Sequence, residues 1–199
     1  DDDLLADRET TIELLRKIID LDLGITWAAN NGLIASFLDQ ELIEHMVASG
    51  CVGFRIGIES GNDDILKKIK KPASKNSLRQ ASKLLAQSPE LFVVGCYIIG
   101  FENETVDQIF DTFKFSLEMN LSWAGFCECQ VVRDASIDEE FDTSHQEETY
   151  KKVADFVPSK ETVDRTINAK DGGQDSIFSL PKDSIPSPEN LHEMWYTFN

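Results

Sequence analysis

Residues 50–61 read Gly50-Cys51-Val52-Gly53-Phe54-Arg55-Ile56-Gly57-Ile58-Glu59-Ser60-Gly61. Large apolar side chains alternate with polar or minimal ones, the period of an extended strand. Arg55, Gly57 and Glu59 then share one face. Phe54, Ile56 and Ile58 share the other, where helices should cover them. A carboxylate at the tip of such a strand accepts hydrogen bonds from a ribose diol or an ammonium. Gly57 leaves space for a flat or bulky ligand to approach the backbone. An Arg55–Glu59 pair stapling the strand, with glycines serving turns, explains the same residues without a ligand.

The flanking sequence alternates helix and strand. Ile12, Leu15 and Ile19 recur at helical spacing within 8–21, and Gly24 ends that region. Ile25 to Ala29 predicts a short strand running into a turn at Asn30-Asn31-Gly32. Asp39 caps a helix over 40–49, closed by Gly50. A short helix begins near Asp63-Asp64, and Ser74 caps a longer one to Gln87. Phe92 to Ile99 is almost uniformly apolar, as a parallel strand covered on both faces should be. Thr105 to Met119 is the clearest amphipathic helix, and Trp123 to Val132 is the fourth strand. This order predicts an α/β chain of βα units with parallel strands. Sites in such architectures lie at the carboxyl ends of the strands.

After Arg133 the texture turns acidic and rich in Ser, Thr and Pro, with Gly172-Gly173. Residues 134–199 therefore read as a mostly irregular appendage to a core over 1–133. Helices are expected there across His145–Phe156 and from Leu191 to the end.

The 199 residues are 41% hydrophobic, enough for a core, and carry a net charge of −17. Phosphate backbones need Lys and Arg in excess, so nucleic acid is excluded as a partner. No eighteen-residue apolar run is present, so no membrane partner is expected and the expected location is cytoplasmic. The chain opens on Asp1-Asp2-Asp3 without a methionine, which reads as a cut edge of something longer.

Lys67, Lys68, Lys70, Lys71, Lys75, Arg79 and Lys83 crowd one short stretch. It reads as a solvated helix surface or, alternatively, as a docking face for an acidic partner or an anionic substrate. Cys127 and Cys129 share one strand face, and with Cys51 and Cys96 a soft metal site is conceivable. Buried small hydrophobes explain the same cysteines. His45, His145 and His192 are scattered, with no zinc spacing and no Ser-His-Asp arrangement.

Taken in order, several segments resemble the middle and later part of a radical S-adenosylmethionine enzyme core. The resemblance is to the subgroup often joined to a cobalamin-binding domain, which includes the anaerobic magnesium-protoporphyrin ester cyclase. The matching residues are Asp1-Asp2, Trp27 with Asn31-Gly32, and Met46 through Gly50-Cys51. Gly57-Ile58-Glu59-Ser60-Gly61, Lys70-Lys71, and Ile98-Ile99-Gly100-Phe101 with Glu104-Thr105 follow. The likeness covers roughly residues 1 to 133 and extends weakly to the end, where Ser187 to Asn199 is similar to the helix such proteins carry after the barrel.

This resemblance implies a partial TIM-like (β/α)6 barrel, truncated at its N-terminal end. It implies a portion of an iron–sulfur oxidoreductase or methyltransferase that positions S-adenosylmethionine for reductive cleavage to a 5′-deoxyadenosyl radical. The implied cofactors are S-adenosylmethionine and a [4Fe–4S] cluster, with cobalamin in a separate domain. The implied partners are a small-molecule substrate and a reductant protein, with self-association through an exposed sheet edge. Carried over by position, Glu59 would hold the ribose, Asp1 or Asp2 would face the methionine amino end, and Gly57 and Gly100 would line the groove. Tyr97 would form a wall, and Arg55 shares the face of Glu59.

The chain departs from the pattern in several places. The Cys-x-x-x-Cys-x-x-Cys cluster motif is absent and is expected upstream, so this segment alone should be inactive. Ile34 and Ser36 replace an Arg and an Asp. Glu102-Asn103 replaces Pro-Gly, and Val132-Arg133-Asp134-Ala135 replaces a glycine- and proline-rich loop. A non-catalytic binding or partner-docking module of the same ancestry is the alternative.

Overall fold

The computed structural model describes residues 4–129 and 180–199. Local signals set most element boundaries. Helix α1 (Arg8–Leu21) starts where the Asp7 carboxylate accepts from Thr10 N. Helix α2 (Gln40–Ala48) starts at Asp39, whose side chain accepts from Leu42 N. Helix α4 (Lys75–Leu85) opens on a reciprocal Ser74–Ser77 capping box, and α5 (Val106–Met119) on a Thr105–Gln108 box. A short α3 (Asp63–Lys68) is capped by Asn62.

Strands β1 (Trp27–Leu33), β2 (Cys51–Glu59), β3 (Phe92–Ile99) and β4 (Trp123–Glu128) form one sheet in that order. Every adjacent pair is parallel. This is the sequential βα arrangement of a β/α barrel, with four of its strands described. Ile56, Ile58 and Ile99 are fully buried beneath the helices, as are Ile109 and Met119. Each such side chain contributes roughly 1.5–3 kcal/mol of burial.

Several expectations need correction. Asn30-Asn31-Gly32 is not a turn after β1; it lies within the strand. Ala29 pairs with Phe54 and Leu33 with Ile56, so the surplus residues are absorbed as an irregular bulge, with Gly32 at φ +95. Strand pairing overrides the local turn preference. Helix α4 ends at Leu85, and β4 ends at Glu128. The final helix, α6 (Pro188–Phe198), begins earlier than the residue pattern from Leu191 implied and falls within the 187–199 stretch of the resemblance, from a Ser187 cap with proline in the first turn. The helix expected across 145–156 lies outside the described residues.

Helix α6 packs into the same core, with Met194 fully buried and the Phe198 ring stacked on Phe113 at 4.4 Å. It also closes the outer edge of β4. Phe126 N donates to Asn199 Oδ1 at 3.0 Å, and Phe126 O accepts from Asn199 Nδ2 and Trp195 Nε1. Asn199 thus replaces a neighbouring strand at this residue. Among the described residues β1 has no strand on its far side. No helix of the described residues is long and apolar enough to cross a membrane.

Candidate functional site

The strand tips converge on Glu59. Between Gly57 and Glu59 the β2–β3 register shifts, and Glu59 adopts φ 67, a left-handed value uncommon for a non-glycine residue. The two residues after it are anchors. Ser60 Oγ and Thr112 Oγ1 of α5 lie 3.0 Å apart, and Gly61 N donates to the same Thr112 oxygen at 3.0 Å. A Cβ at Gly61 would meet Phe115 Cβ at 2.4 Å and Asp111 O at 2.7 Å, so only glycine fits against the helix. The Glu-Ser-Gly sequence therefore divides its labour: Ser60 and Gly61 pin the strand end to α5, and Glu59 projects from it.

Glu59 does not pair with Arg55. Its Oε1 accepts from Lys71 Nζ at 2.9 Å, and both side chains are about one-fifth exposed (22% and 21%). A Schellman turn at the end of α3 places that lysine. Lys71 N donates to Leu66 O and Lys70 N to Lys67 O, with Lys70 left-handed at φ 52. The ion pair lies over Gly57, where a Cβ would come within 2.5 Å of Glu59 Oε1 and 3.1 Å of Lys71 Nζ. Gly57 thus makes room for the protein's own charge pair. The sequence offered no glycine or asparagine to mark the turn at Lys70, and Lys71 was not among the candidate site residues.

Arg55 is exposed on the same face as Gly57, near Cys96 of β3. Burial pushes the Cys96 thiol up, against the opposing influence of Arg55. Two other candidates lie elsewhere. Tyr97 is 1% exposed on the helix-covered face, stacked on Phe126 at 5.0 Å, so it is a core residue and not a groove wall. Its hydroxyl has no hydrogen-bond partner, and burial pushes its pKa up. Gly100 does not open onto a groove. At φ 84, its missing side chain leaves room for Leu191 of α6, whose Cδ2 would lie 2.4 Å from a Cβ there. Asp1 and Asp2 lie outside the described residues.

Glu104 organises the tip of β3. Its Oε2 accepts from Gly100 N at 2.6 Å and Phe101 N at 3.0 Å, while Oε1 is buried without a partner. Burial pushes its pKa up to about 7, against the two amides and Lys68, which favour the ionised form. Cys129, just past β4, is likewise pushed up to about 11 by burial.

Among the described residues no group of three His, Cys, Asp or Glu side chains is placed to hold a metal ion, so an iron–sulfur cluster has no ligand set here. The basic stretch is also less free than its sequence implied. Lys67 pairs with Asp64, Lys68 with Glu102, Lys71 with Glu59 and Arg79 with Glu118. A separate cleft of about 400 Å³ lies between α1 and β1, lined by Leu4, Leu14, Ile18, Trp27 and Asn30 among others. No residue of β2, β3 or β4 lines it.

The fold and the site define a segment of a parallel β/α barrel with a charged pair at its strand tips. No protein-family model matches the chain. It is 28% identical over 126 residues to an uncharacterized methyltransferase of Pyrococcus horikoshii, covering 63% of this chain and 27% of the relative. It is 26% identical over 129 residues to the anaerobic magnesium-protoporphyrin IX monomethyl ester cyclase of Rubrivivax gelatinosus, covering 62% and 23%. It is 30% identical over 135 residues to the cytidylyl-2-hydroxyethylphosphonate methyltransferase of Streptomyces wedmorensis, covering 63% and 24%. The chain thus spans about a quarter of the length of these relatives.

Among solved structures it resembles the radical S-adenosylmethionine methyltransferase TsrM of Kitasatospora setae, solved with cobalamin and a [4Fe–4S] cluster. The TM-score is 0.56 at 15% identity, covering 64% of this chain and 26% of that one. It also resembles the coproporphyrinogen III oxidase HemN of Escherichia coli, a radical SAM enzyme, with a TM-score of 0.55 at 12% identity. That match covers 96% of this chain and 35% of HemN. The chain shares part of the barrel fold of these radical S-adenosylmethionine enzymes.

Proposed function

We propose that this chain is the nucleoside-holding part of a radical S-adenosylmethionine oxidoreductase or methyltransferase. The observation that carries the reading is the Glu59–Lys71 pair at the carboxyl end of the sheet. In the bound state Glu59 turns from Lys71 to the ribose hydroxyls. Glu59 then exchanges one charged hydrogen bond for two hydroxyl-to-carboxylate hydrogen bonds, so its charge stays satisfied in both states. The released Lys71 ammonium stays beside the bare backbone of Gly57 and can follow a carboxylate of the same ligand. When bound, S-adenosylmethionine and a reduced iron–sulfur cluster supply the radical chemistry. The cluster's ligands, a cobalamin domain, the small-molecule substrate and a reductant protein belong to the longer protein.

The partner-docking alternative is less favoured, because the lysine stretch it needs is largely neutralised by the chain's own acids. Titration of the chain with 5′-deoxyadenosine, followed by amide NMR, tests the reading. It expects shifts centred on residues 55–61 and binding weakened roughly tenfold, the effect of losing a charged hydrogen-bond acceptor, in Glu59→Gln. Saturating nucleoside without shifts at those residues would refute it.

A further inference from the structure

Arg55 stands apart from the other described arginines of this acidic chain. Arg8 pairs with Asp39 and Glu41, Arg16 with Glu41, and Arg79 with Glu118. Arg55 has no carboxylate within ion-pair distance among the described residues, despite a net charge of −17. It is exposed in the middle of β2, between Gly53 and Gly57 on the same face. On β3, one position nearer the strand tips on the same face than its own partner Val94, stands Cys96.

The acids at that end of the sheet are already engaged. Glu59 holds Lys71, Glu102 holds Lys68, Glu104 holds the amides of Gly100 and Phe101, and Glu128 holds His192. A guanidinium cannot shed its charge by losing a proton at any ordinary pH. Exposed and permanently charged, the Arg55 guanidinium is open to a ligand anion on this face.

We propose that Arg55 is the anion-binding residue of this face and takes an oxyanion, foremost a carboxylate, at the non-reacting end of the substrate. The planar fork of the guanidinium suits two-point contact with a carboxylate. Glu59 lies four positions beyond Arg55, past the register shift at the strand tip. A substrate anchored at Arg55 would therefore extend toward a nucleoside held at Glu59 without competing for it. The inference rests on the open face being the ligand side, as in the function proposed above, and adds the charge class of the substrate.

The test is NMR titration of the arginine Nε–H and backbone amide signals of the chain with butyrate, methyl butyrate and inorganic phosphate. Butyrate should move the Arg55 Nε–H and the Cys96 amide. The uncharged ester should leave both in place. Arg55→Gln should weaken butyrate binding by roughly tenfold, and Arg55→Lys should retain part of it. A stronger response to phosphate than to butyrate would keep the oxyanion site and assign it to a phosphate-bearing substrate. Equal shifts with the ester, or unchanged butyrate binding in Arg55→Gln, would overturn the proposal. The ester comparison uses the unaltered chain, so it decides even if a variant folds poorly. Loss of the 5′-deoxyadenosine response with butyrate binding intact would count against the nucleoside reading alone.

Discussion

Lys71 Nζ lies 2.9 Å from Glu59 Oε1, across the side-chain-free surface of Gly57. Two left-handed backbone positions bring them there: Glu59 after the β2 register shift, and Lys70 in the turn that ends α3. Neither position is a glycine. Unfavourable backbone held in place by packing often marks a working site, and here both instances serve one charge pair.

Gly57→Ala should move that pair without unfolding the strand. The atoms an added methyl meets are the ends of flexible side chains. Stability should change by less than about 1 kcal/mol, while 5′-deoxyadenosine binding weakens. Thermal melting and the nucleoside titration read the two effects separately. A stability loss of several kcal/mol would show that Gly57 serves the strand and not the pair.

Gly100→Ala should cost roughly 1–3 kcal/mol in chemical denaturation, because it combines a left-handed backbone with a clash against Leu191. In a Leu191→Ala background the same change should cost less, since the clash is gone and only the backbone term remains. A double-mutant cycle with no coupling would contradict the assignment of this glycine to helix docking.

Glu104 gives stability a distinctive pH dependence. Its carboxyl titrates near 4.5 when unperturbed and at about 7 in the folded protein. Between those values the native state keeps a proton that the unfolded chain has released. The contribution present below the lower value is lost as pH rises through the upper one, by up to about 3 kcal/mol. Denaturation across that interval should show the decline, and Glu104→Gln should flatten it. An unchanged slope in the variant would place the titrating group elsewhere.

Tyr97→Phe should be neutral or stabilising by about 1 kcal/mol, because the hydroxyl is buried with nothing to bond. Nucleoside binding should not change. A loss of binding would return Tyr97 to the groove.

Much of the architecture was written in short-range signals. Asp39, Ser74 and Thr105 cap helices a few residues away, and the two-residue period of Phe54, Ile56 and Ile58 places Arg55, Gly57 and Glu59 on the opposite face. Capping and pleating act over one turn or one residue step, so their chemistry is visible in adjacent letters. The parallel order of the four strands followed from the same alternation.

The remaining features depend on residues distant along the chain. Gly100 read as a groove glycine because nothing near it announces Leu191. Tyr97 read as a wall because its stacking partner, Phe126, belongs to the next strand. Asn30-Asn31-Gly32 read as a turn until pairing with β2 carried the strand through it. Glu59 was legible as a strand-tip carboxylate, but its partner was not, since α3 and a glycine-free turn had to fold before Lys71 could reach it. Local composition specifies backbone period and helix ends; which side chains then meet is set by long-range packing, where each contact depends on every element between the two residues.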